Sequence, residues 1–434
     1  MRRNRRGDFN KDGKVDIVAG PYWYAGPDFK VRTEFYPVGV FWDSKGVPQG
    51  EPSNSLFSFV HDFNGDGWPD VLVQGRAVQH TPYWYENPKC ATGHWKKYQV
   101  FDKIWGENPQ HLDIDGDGRP EILCNWGGKV GWLRPDADPT RLWIFTGVSE
   151  AGPWFNYTHG IGAGDLNGDG RLDLIQPDFW WEQPAKGGAA GAWKSAVTEF
   201  RDSKGNGDGG AQIFAYDVDG DGDKDVITSL DAHGWGLAWY ENAPTAGKPG
   251  WIKHMVMGNR TEEAKYGVAF SQPHAMELAD VDGDGLKDIV VGKRRWAHGP
   301  TGDVEPGAAP VVYWFRLTRE AGKDAAFKPN LVDANSGVGL QVAALDVNGD
   351  GATDILTSSK LGAFLFLNKT PPLAVIRFHQ GGVLPDRRRS LRLEAGPAGT
   401  PAWSLLGRML QDHGQDAVTA PYIGPGREET RREP

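Results

Sequence analysis

The chain has 434 residues, 39% hydrophobic and 24% charged, with a formal net charge of −10, a balance that excludes a wholly disordered chain and argues against a nucleic-acid partner. No apolar run approaches the ~18 residues of a transmembrane helix, and the basic start Met1–Gly7 leads into no signal-peptide core. Two cysteines, Cys90 and Cys124, build no disulfide framework, whereas 59 glycines and 19 tryptophans point to many turns and to a repeated packing position or a stacking surface.

One pattern organises the chain from its start, D-x-[DN]-x-D-G-x-x-[DE] followed by an apolar triplet. It begins at Asp8, Asp62, Asp113, Asp165, Asp217, Asp280 and Asp346, at spacings of 54, 51, 52, 52, 63 and 66 residues. A β-branched run follows each loop (DIVAG, DVLVQG, DIVVG), then an aromatic element: YWYAGP from Tyr22, YWYENP from Tyr83, VGWLRP from Val130, FWWEQP from Phe179, WYENAP from Trp239, YWFR from Tyr313 and FLFLN from Phe364. A fourth stretch closes several units, as HWKKYQV from His94, AWKSAVTEF from Ala192 and WIKHMVM from Trp251. Each unit reads as four short strands joined by glycine-rich turns, and no amphipathic helix of four turns is expected before residue 370. Seven such units predict an all-β fold, a seven-bladed β-propeller spanning residues 1–370, with the repeated Trp and Tyr packed between blades. Asp8 comes so early that the N-terminal blade is expected to be incomplete and the chain to lack its natural N-terminus. From Pro371 to Pro434 the repeats stop, and eight Pro, eight Gly and nine Arg without a Lys predict a low-order tail, dispensable over 385–434. Within it, Leu373–Phe378 is a candidate outer strand for the last blade.

The loops carry oxygen ligands at positions 1, 3, 5 and 9, with a backbone carbonyl at 7, which suits a hard cation such as Ca²⁺. The side chains are Asp8, Asn10, Asp12 and Asp16; Asp62, Asn64, Asp66 and Asp70; Asp113, Asp115, Asp117 and Glu121; Asp165, Asn167, Asp169 and Asp173; Asp217, Asp219, Asp221 and Asp225; Asp280, Asp282, Asp284 and Asp288; Asp346, Asn348, Asp350 and Asp354. An EF-hand would place a Glu at position 12, where this chain has Ala19, Val73, Cys124, Gln176, Thr228, Val291 and Thr357. The competing reading is Asp/Gly turns without metal, but so many carboxylates in one short loop repel one another unless a cation offsets them. Repetition in every unit makes these sites structural, up to one Ca²⁺ per blade.

These residues resemble FG-GAP/VCBS-type repeats, the calcium-loop propellers of integrin α heads and of many secreted bacterial proteins, from about residue 7 to 370. The non-repeated stretches THGIGAGD from Thr158, GAQIFAYDVDGDG from Gly210, AHGWGLAWYEN from Ala232, YGVAFSQPHAMELADVDGDGLKDIVVGKRRWAHG from Tyr266 and DANSGVGLQVAALDVNGDG from Asp333 resemble the propeller domain of aldos-2-ulose dehydratase and its bacterial relatives. That resemblance implies elimination of water from keto-sugars such as 1,5-anhydrofructose, with bound metal ions. The family's cupin domains have no counterpart here.

If the strand before each acidic loop is innermost, residues five or six positions before the first loop Asp sit at the mouth of the central channel, opposite the acidic loops. This selects Glu107, His159, Gln212, His274 and Gln341. Loops between second and third strands exit on the same face and add Trp126, Asp178, Trp180, His233, Trp235, Lys293, Arg294, Arg295, Trp296 and His298. Flat rings beside His and Arg are what a sugar site needs. His159, His274, His298 and Arg294 are the catalytic candidates for abstracting a proton α to a carbonyl and polarising the oxygens. Glu107, Gln212, His233, Trp235, Trp296, Gln341 and Trp180 are the substrate-binding candidates, and a further divalent metal at this pocket is compatible with the histidines. The rival class is a non-catalytic carbohydrate- or protein-binding adhesion propeller of the integrin-α type, and a polysaccharide lyase shares the elimination chemistry. The expected partner is a small sugar or glycan, and because such loops fill where Ca²⁺ is millimolar an extracellular or periplasmic location is expected.

Overall fold

Each acidic loop folds as a tight turn between the first and second strands of its repeat, and the antiparallel strands that follow alternate apolar residues onto both faces. The computed structural model describes residues 6–38, 55–75, 81–185, 191–202, 209–244 and 250–369, and the backbone of 403–409. In chain order the first sheet holds β1 (Arg6–Gly7), β2 (Asp16–Ala19), β3 (Tyr22–Tyr24) and β4 (Arg32–Glu34); the second holds β5 (Phe57–His61), β6 (Asp70–Gln74), β7 (Tyr83–Glu86) and β8 (Lys96–Gln99). The third holds β9 (Trp105–Leu112), β10 (Glu121–Trp126), β11 (Lys129–Arg134) and β12 (Ile144–Gly147). Next come β13 (Gly162–Gly164), β14 (Asp173–Ile175), β15 (Phe179–Glu182) and β16 (Lys194–Val197), then β17 (Ile213–Tyr216), β18 (Asp225–Ser229), β19 (Leu237–Asn242) and β20 (Trp251–Met257). A 3-10 turn over Arg260–Glu262 and the helical turn α1 (Glu263–Tyr266) precede β21 (Pro273–Ala279), β22 (Asp288–Lys293), β23 (Val312–Thr318) and β24 (Ala326–Asp333). The last sheet holds β25 (Val342–Leu345), β26 (Asp354–Ser359), β27 (Gly362–Asn368) and β28 (Trp403–Met409). The architecture is an all-β propeller with four-stranded blades.

The expected set of separate four-stranded sheets is modified at one place. Among the described residues there are five four-stranded sheets and one of eight strands, in which β13 pairs parallel with β17. Glycine is the cause. A Cβ on Gly162 would lie 2.1 Å from the Ile213 carbonyl oxygen, and one on Gly164 would lie 2.1 Å from the Ala215 Cβ. Without side chains there, two first strands approach within ladder distance. That pairing brings the first strands of two successive repeats side by side.

Apolar clusters join each four-stranded run to the next. Trp84 packs with Ile122 and Leu133, Trp132 with Leu174 and Trp181, Trp239 with Ile289 and Phe315, and Trp314 with Ile355 and Phe366. Tyr240 and Val226 meet Ile175 in the eight-stranded sheet, and Tyr85 meets Val18. Leu356 and Leu365 of the last sheet pack on Ile17 and Tyr24 of the first, so the circle closes through side chains. The aromatic element of each repeat is therefore the packing position between neighbouring sheets.

Nearer the axis, buried amides link backbones of different sheets. Gln341 accepts from Ser58 N–H at 3.2 Å and donates to Ser58 C=O at 3.3 Å. Gln212 accepts from Met276 N–H at 2.8 Å and donates to Leu340 C=O at 3.1 Å. The last sheet takes its outer strand from Trp403–Met409, which runs antiparallel to β27 from Asn368↔Trp403 to Ala363↔Met409. The outer strand expected for the last sheet at Leu373–Phe378 lies outside the described residues; the strand described is Trp403–Met409, within the stretch expected to be dispensable.

Candidate functional site

Irregularities in the strands aim the polar residues at one end of the axis. The β9–β10 register shifts between Leu123 and Asn125, opposite the segment with Gly106 and Glu107, and Gly106 takes φ 93°. The β21–β22 register shifts between Pro273 and Ala275, leaving His274 as the extra residue of a bulge, a device that re-aims a side chain. His159 precedes Gly160, which has φ 76° and donates its N–H to Asn108 Oδ1 at 2.8 Å. His233 sits in a turn closed by Asp231, whose Oδ1 accepts from the N–H groups of His233 and Gly234 at 2.8 and 2.9 Å. Gln272 ties two neighbours together, donating its N–H to Gly234 C=O at 2.7 Å and accepting from Arg294 N–H at 3.0 Å.

These segments bring six candidate side chains into one cluster. His159 Nε2 lies 3.0 Å from His233 Nε2, and the two rings stack edge-on with His274 at centroid separations of 4.9 and 5.2 Å. Glu107 Oε2 is 3.6 Å from His274 Nε2, 3.8 Å from His159 Nε2 and 3.6 Å from an Arg294 guanidinium nitrogen. That nitrogen is 3.0 Å from His274 Nε2. His298, on the rim and 65% exposed, stacks on His233 at 4.7 Å. Ligand atoms of His159, His233 and His274 lie within 4.8 Å of one another, and the Nδ1 atoms of all three are buried without a hydrogen-bond partner. Three neutral imidazoles and a carboxylate are a donor set suited to a divalent metal.

Burial, with Arg294 and His298 adding to it, pushes the His159 imidazole down to about 3. Burial and then His159 push His233 down to about 3 against the opposing pull of Glu107. His274 falls well below the ordinary histidine value for the same first reason, with Arg294 next. His298 goes the other way, because its hydrogen bond to Asp303 raises it. Asp303 would be raised by burial, yet the His298 bonds outweigh that and hold it at about 2. The cluster thus contains neutral imidazoles inside and one readily protonated imidazole at the rim.

The remaining candidates do not join this cluster. Trp180 is 4% exposed and packs with Leu166, Ile175 and Phe200, so it is a core residue and not a sugar platform. The reason is strand alternation: in β15 it points between sheets. Both ends of the Gln212 and Gln341 amides are engaged by backbone groups, which corrects their assignment to substrate binding. Trp235 lies under the Arg260 guanidinium at 5.5 Å and Trp296 under that of Arg295 at 4.3 Å. Trp126 forms a pair with Trp105 at 5.1 Å. Sequence reasoning missed Asp303, five residues after His298 across a Gly-Pro-Thr-Gly turn, and it missed that Lys293 is fully buried, donating to Ser271 Oγ at 2.9 Å. Burial lowers the Lys293 ammonium to about 8.

The acidic loops share one internal geometry. In the second loop Asp62 accepts from the N–H groups of Asp66 and Gly67 at 3.0 and 2.7 Å, while Asp70 is buried and accepts from Phe63 and Asn87 N–H at 3.0 and 2.8 Å. The ninth-position carboxylate therefore ties its loop to the third strand. In the third loop only the first of these two bonds is made. The donor position there is Pro135, which has no N–H; Glu121 accepts from Ile114 N–H at 2.7 Å and its Oε1 is buried without a partner. Ligand atoms of Asp113, Asp115 and Glu121 lie within 4.8 Å of one another, as do those of Asp217, Asp219 and Asp225 and those of Asp280, Asp282 and Asp288. Some loops also have a side-chain cation at hand: Arg316 pairs with Asp282 and Asp284 at 2.5 and 3.1 Å, and Lys89 with Asp66 at 3.1 Å.

Comparison with protein families matches residues 62–124 and 113–175 to an FG-GAP-like repeat. No curated protein matches significantly. Among solved structures, the V. cholerae biofilm matrix protein Bap1 is similar at 13% identity and a TM-score of 0.36, over 83% of this chain and 77% of that one. A protein of Bacteroides uniformis provisionally assigned as a 6-phosphogluconolactonase is similar at 10% identity and a TM-score of 0.43, over 85% of this chain and 94% of that one.

Proposed function

We propose that this chain is a calcium-stabilised propeller of seven blades whose histidine cluster dehydrates a keto-sugar by β-elimination. The blade count rests on reading the eight-stranded sheet as two blades joined at β13 and β17, each with its own acidic loop and aromatic element. The convergence of Glu107, His159, His233, His274 and Arg294 at one mouth carries the functional reading, together with the resemblance of the surrounding stretches to aldos-2-ulose dehydratase. A scaffold needs no such set. His159, His233, His274 and Glu107 would hold a divalent metal, which when bound supplies Lewis-acid stabilisation of charge developing on the carbonyl oxygen. Arg294 shares the Glu107 carboxylate in its absence and orients the carbonyl by hydrogen bonding.

His159 and His274 are too buried to reach a substrate C–H, so the proton-transfer role moves to His298. It is exposed at the rim and oriented through Nδ1 by Asp303 at 2.8 Å, which leaves Nε2 free for substrate. As base, its Nε2 takes the proton α to the carbonyl. The C–H electron pair becomes the new C=C bond, and the protonated His298 returns its proton to the β-hydroxyl, which departs as water and leaves an enone. Incubating the full chain with 1,5-anhydrofructose should give rising enone absorbance, abolished by His159→Ala and reduced ~10²-fold or more by His298→Ala. An unchanged rate in both variants, or no enone from any keto-sugar, would overturn the reading and leave a non-catalytic binding propeller.

A further inference from the structure

We infer that Asp303 is a positioning residue that orients the imidazole of His233 toward His159 and His274; this rests on the metal-holding reading of that cluster. His233 uses Nε2 on the inner side, 3.0 Å from His159 Nε2. Its opposite nitrogen, Nδ1, is buried and has no hydrogen-bond partner. Asp303 Oδ1 lies 4.0 Å away. A small tilt of the ring closes that gap to a hydrogen bond.

Asp303 is built to receive it. Its side chain is 1% exposed, and Oδ2 is pinned by the backbone N–H groups of Ala297 and His298 at 2.5 and 2.9 Å. Oδ1 accepts from His298 Nδ1 at 2.8 Å, and a carboxylate oxygen has a second lone pair to offer. The carboxylate is therefore fixed by three donors that do not involve His233, while a fourth site faces it. A histidine that binds a metal through Nε2 carries its proton on Nδ1 and gives it to an outer acceptor, which fixes tautomer and ring orientation. Asp303 is the acceptor in the right place, and Glu107 on the other side completes the approach with its own carboxylate.

The test uses the full chain, stripped and then saturated with Ca²⁺ so that the acidic loops do not compete, and titrated with Zn²⁺ or with Co²⁺ as a visible probe. Wild type should bind at a histidine site that His233→Ala removes. Asp303→Asn should weaken binding by roughly 10- to 100-fold and alter the Co²⁺ spectrum, whereas His298→Ala should leave affinity within about threefold. Equal affinity of Asp303→Asn and wild type refutes the inference. So does an equal loss in His298→Ala, which would make Asp303 a support for His298 alone. A wild type that binds no metal through His233 sinks the metal reading itself, a distinct outcome. Should Asp303→Asn not fold, the Zn²⁺-loaded wild type still decides the matter. A slowly exchanging downfield His233 Nδ1–H proton supports the bond, and its absence overturns it.

Discussion

Removing cations should give this protein an unusual pH dependence, set by the ninth carboxylate of each acidic loop. Burial raises Asp70, Asp173 and Asp288 from 3.8 to about 7 and Glu121 from 4.5 to about 8, while Asp16, Asp225 and Asp354 reach about 6. A carboxyl whose folded value lies above its unfolded one binds protons more tightly in the folded state. Its stabilising contribution is present at low pH and is lost as pH rises through the folded value. For Asp288, the difference between 3.8 and about 7 amounts to about 4 kcal/mol against the ionised form. Such a cost is large beside the ~5–15 kcal/mol by which a domain is stable, so a cation that offset the ionised loops would stabilise the folded chain above neutrality. His111, His159 and His233, lowered to about 3, work in the opposite sense, but only below about pH 6.5, the unfolded value. Between about pH 6.5 and 8 the carboxyls act alone: Asp16, Asp225 and Asp354 are by then largely ionised, Asp70, Asp173 and Asp288 carry the fall up to about pH 7 and Glu121 up to about pH 8, each removing at most about 1.4 kcal/mol per pH unit. Melting in excess chelator should therefore fall steeply over that window, and saturating Ca²⁺ should flatten the curve and raise it. Chelated protein that melts independently of pH, with no response to Ca²⁺, would refute both the electrostatic reasoning and the cation assignment.

Two further outcomes follow from packing. Gln341→Ala leaves the N–H and C=O of Ser58 buried without their partner amide, which should cost about 2–4 kcal/mol in chemical denaturation without altering calcium affinity; a loss below about 0.5 kcal/mol would mean that water replaces the amide. Ending the chain at Lys369 removes β28 and exposes the edge of β27, so the truncated protein should melt lower and self-associate, as light scattering would register, whereas an unchanged monodisperse melt would restore the view that the tail is dispensable.

The repeat was legible because its determinants are local. Carboxylates at fixed spacing fold onto their own backbone N–H groups, and the aromatic element repeats because every inter-sheet gap has the same shape. The close approach of β13 and β17 was not legible: Gly162 and Gly164 look like any glycines until the neighbouring strand is placed against them. Pro135 reads as a turn residue, and only the register with β10 reveals that it withholds the N–H that Asp70 and its counterparts receive. Asp303 is close to His298 in sequence, but nothing in the spacing separates a carboxylate folded back on the histidine from one facing solvent.

The channel-mouth rule selected five positions by counting back from the loops, and the structure divides them by chemistry. Gln212 and Gln341 each bring a donor and an acceptor, which is what a strand edge with an unpaired N–H and C=O requires, so the fold consumes them. A neutral imidazole brings one of each on opposite edges and cannot match the N–H and C=O of a single residue, as Gln341 does for Ser58. Glu107, brought into the axis by a bulge, offers acceptors only. His159, His274 and Glu107 are therefore left with polar atoms that no neighbouring backbone satisfies, and burying unsatisfied polar atoms costs stability. Position along the strand gives all five residues contacts with neighbouring sheets. The mismatch between side-chain and backbone hydrogen bonding leaves His159 Nε2, His274 Nε2 and Glu107 Oε2 turned toward one another instead of toward backbone, and that convergence is the physical argument that supports a site there.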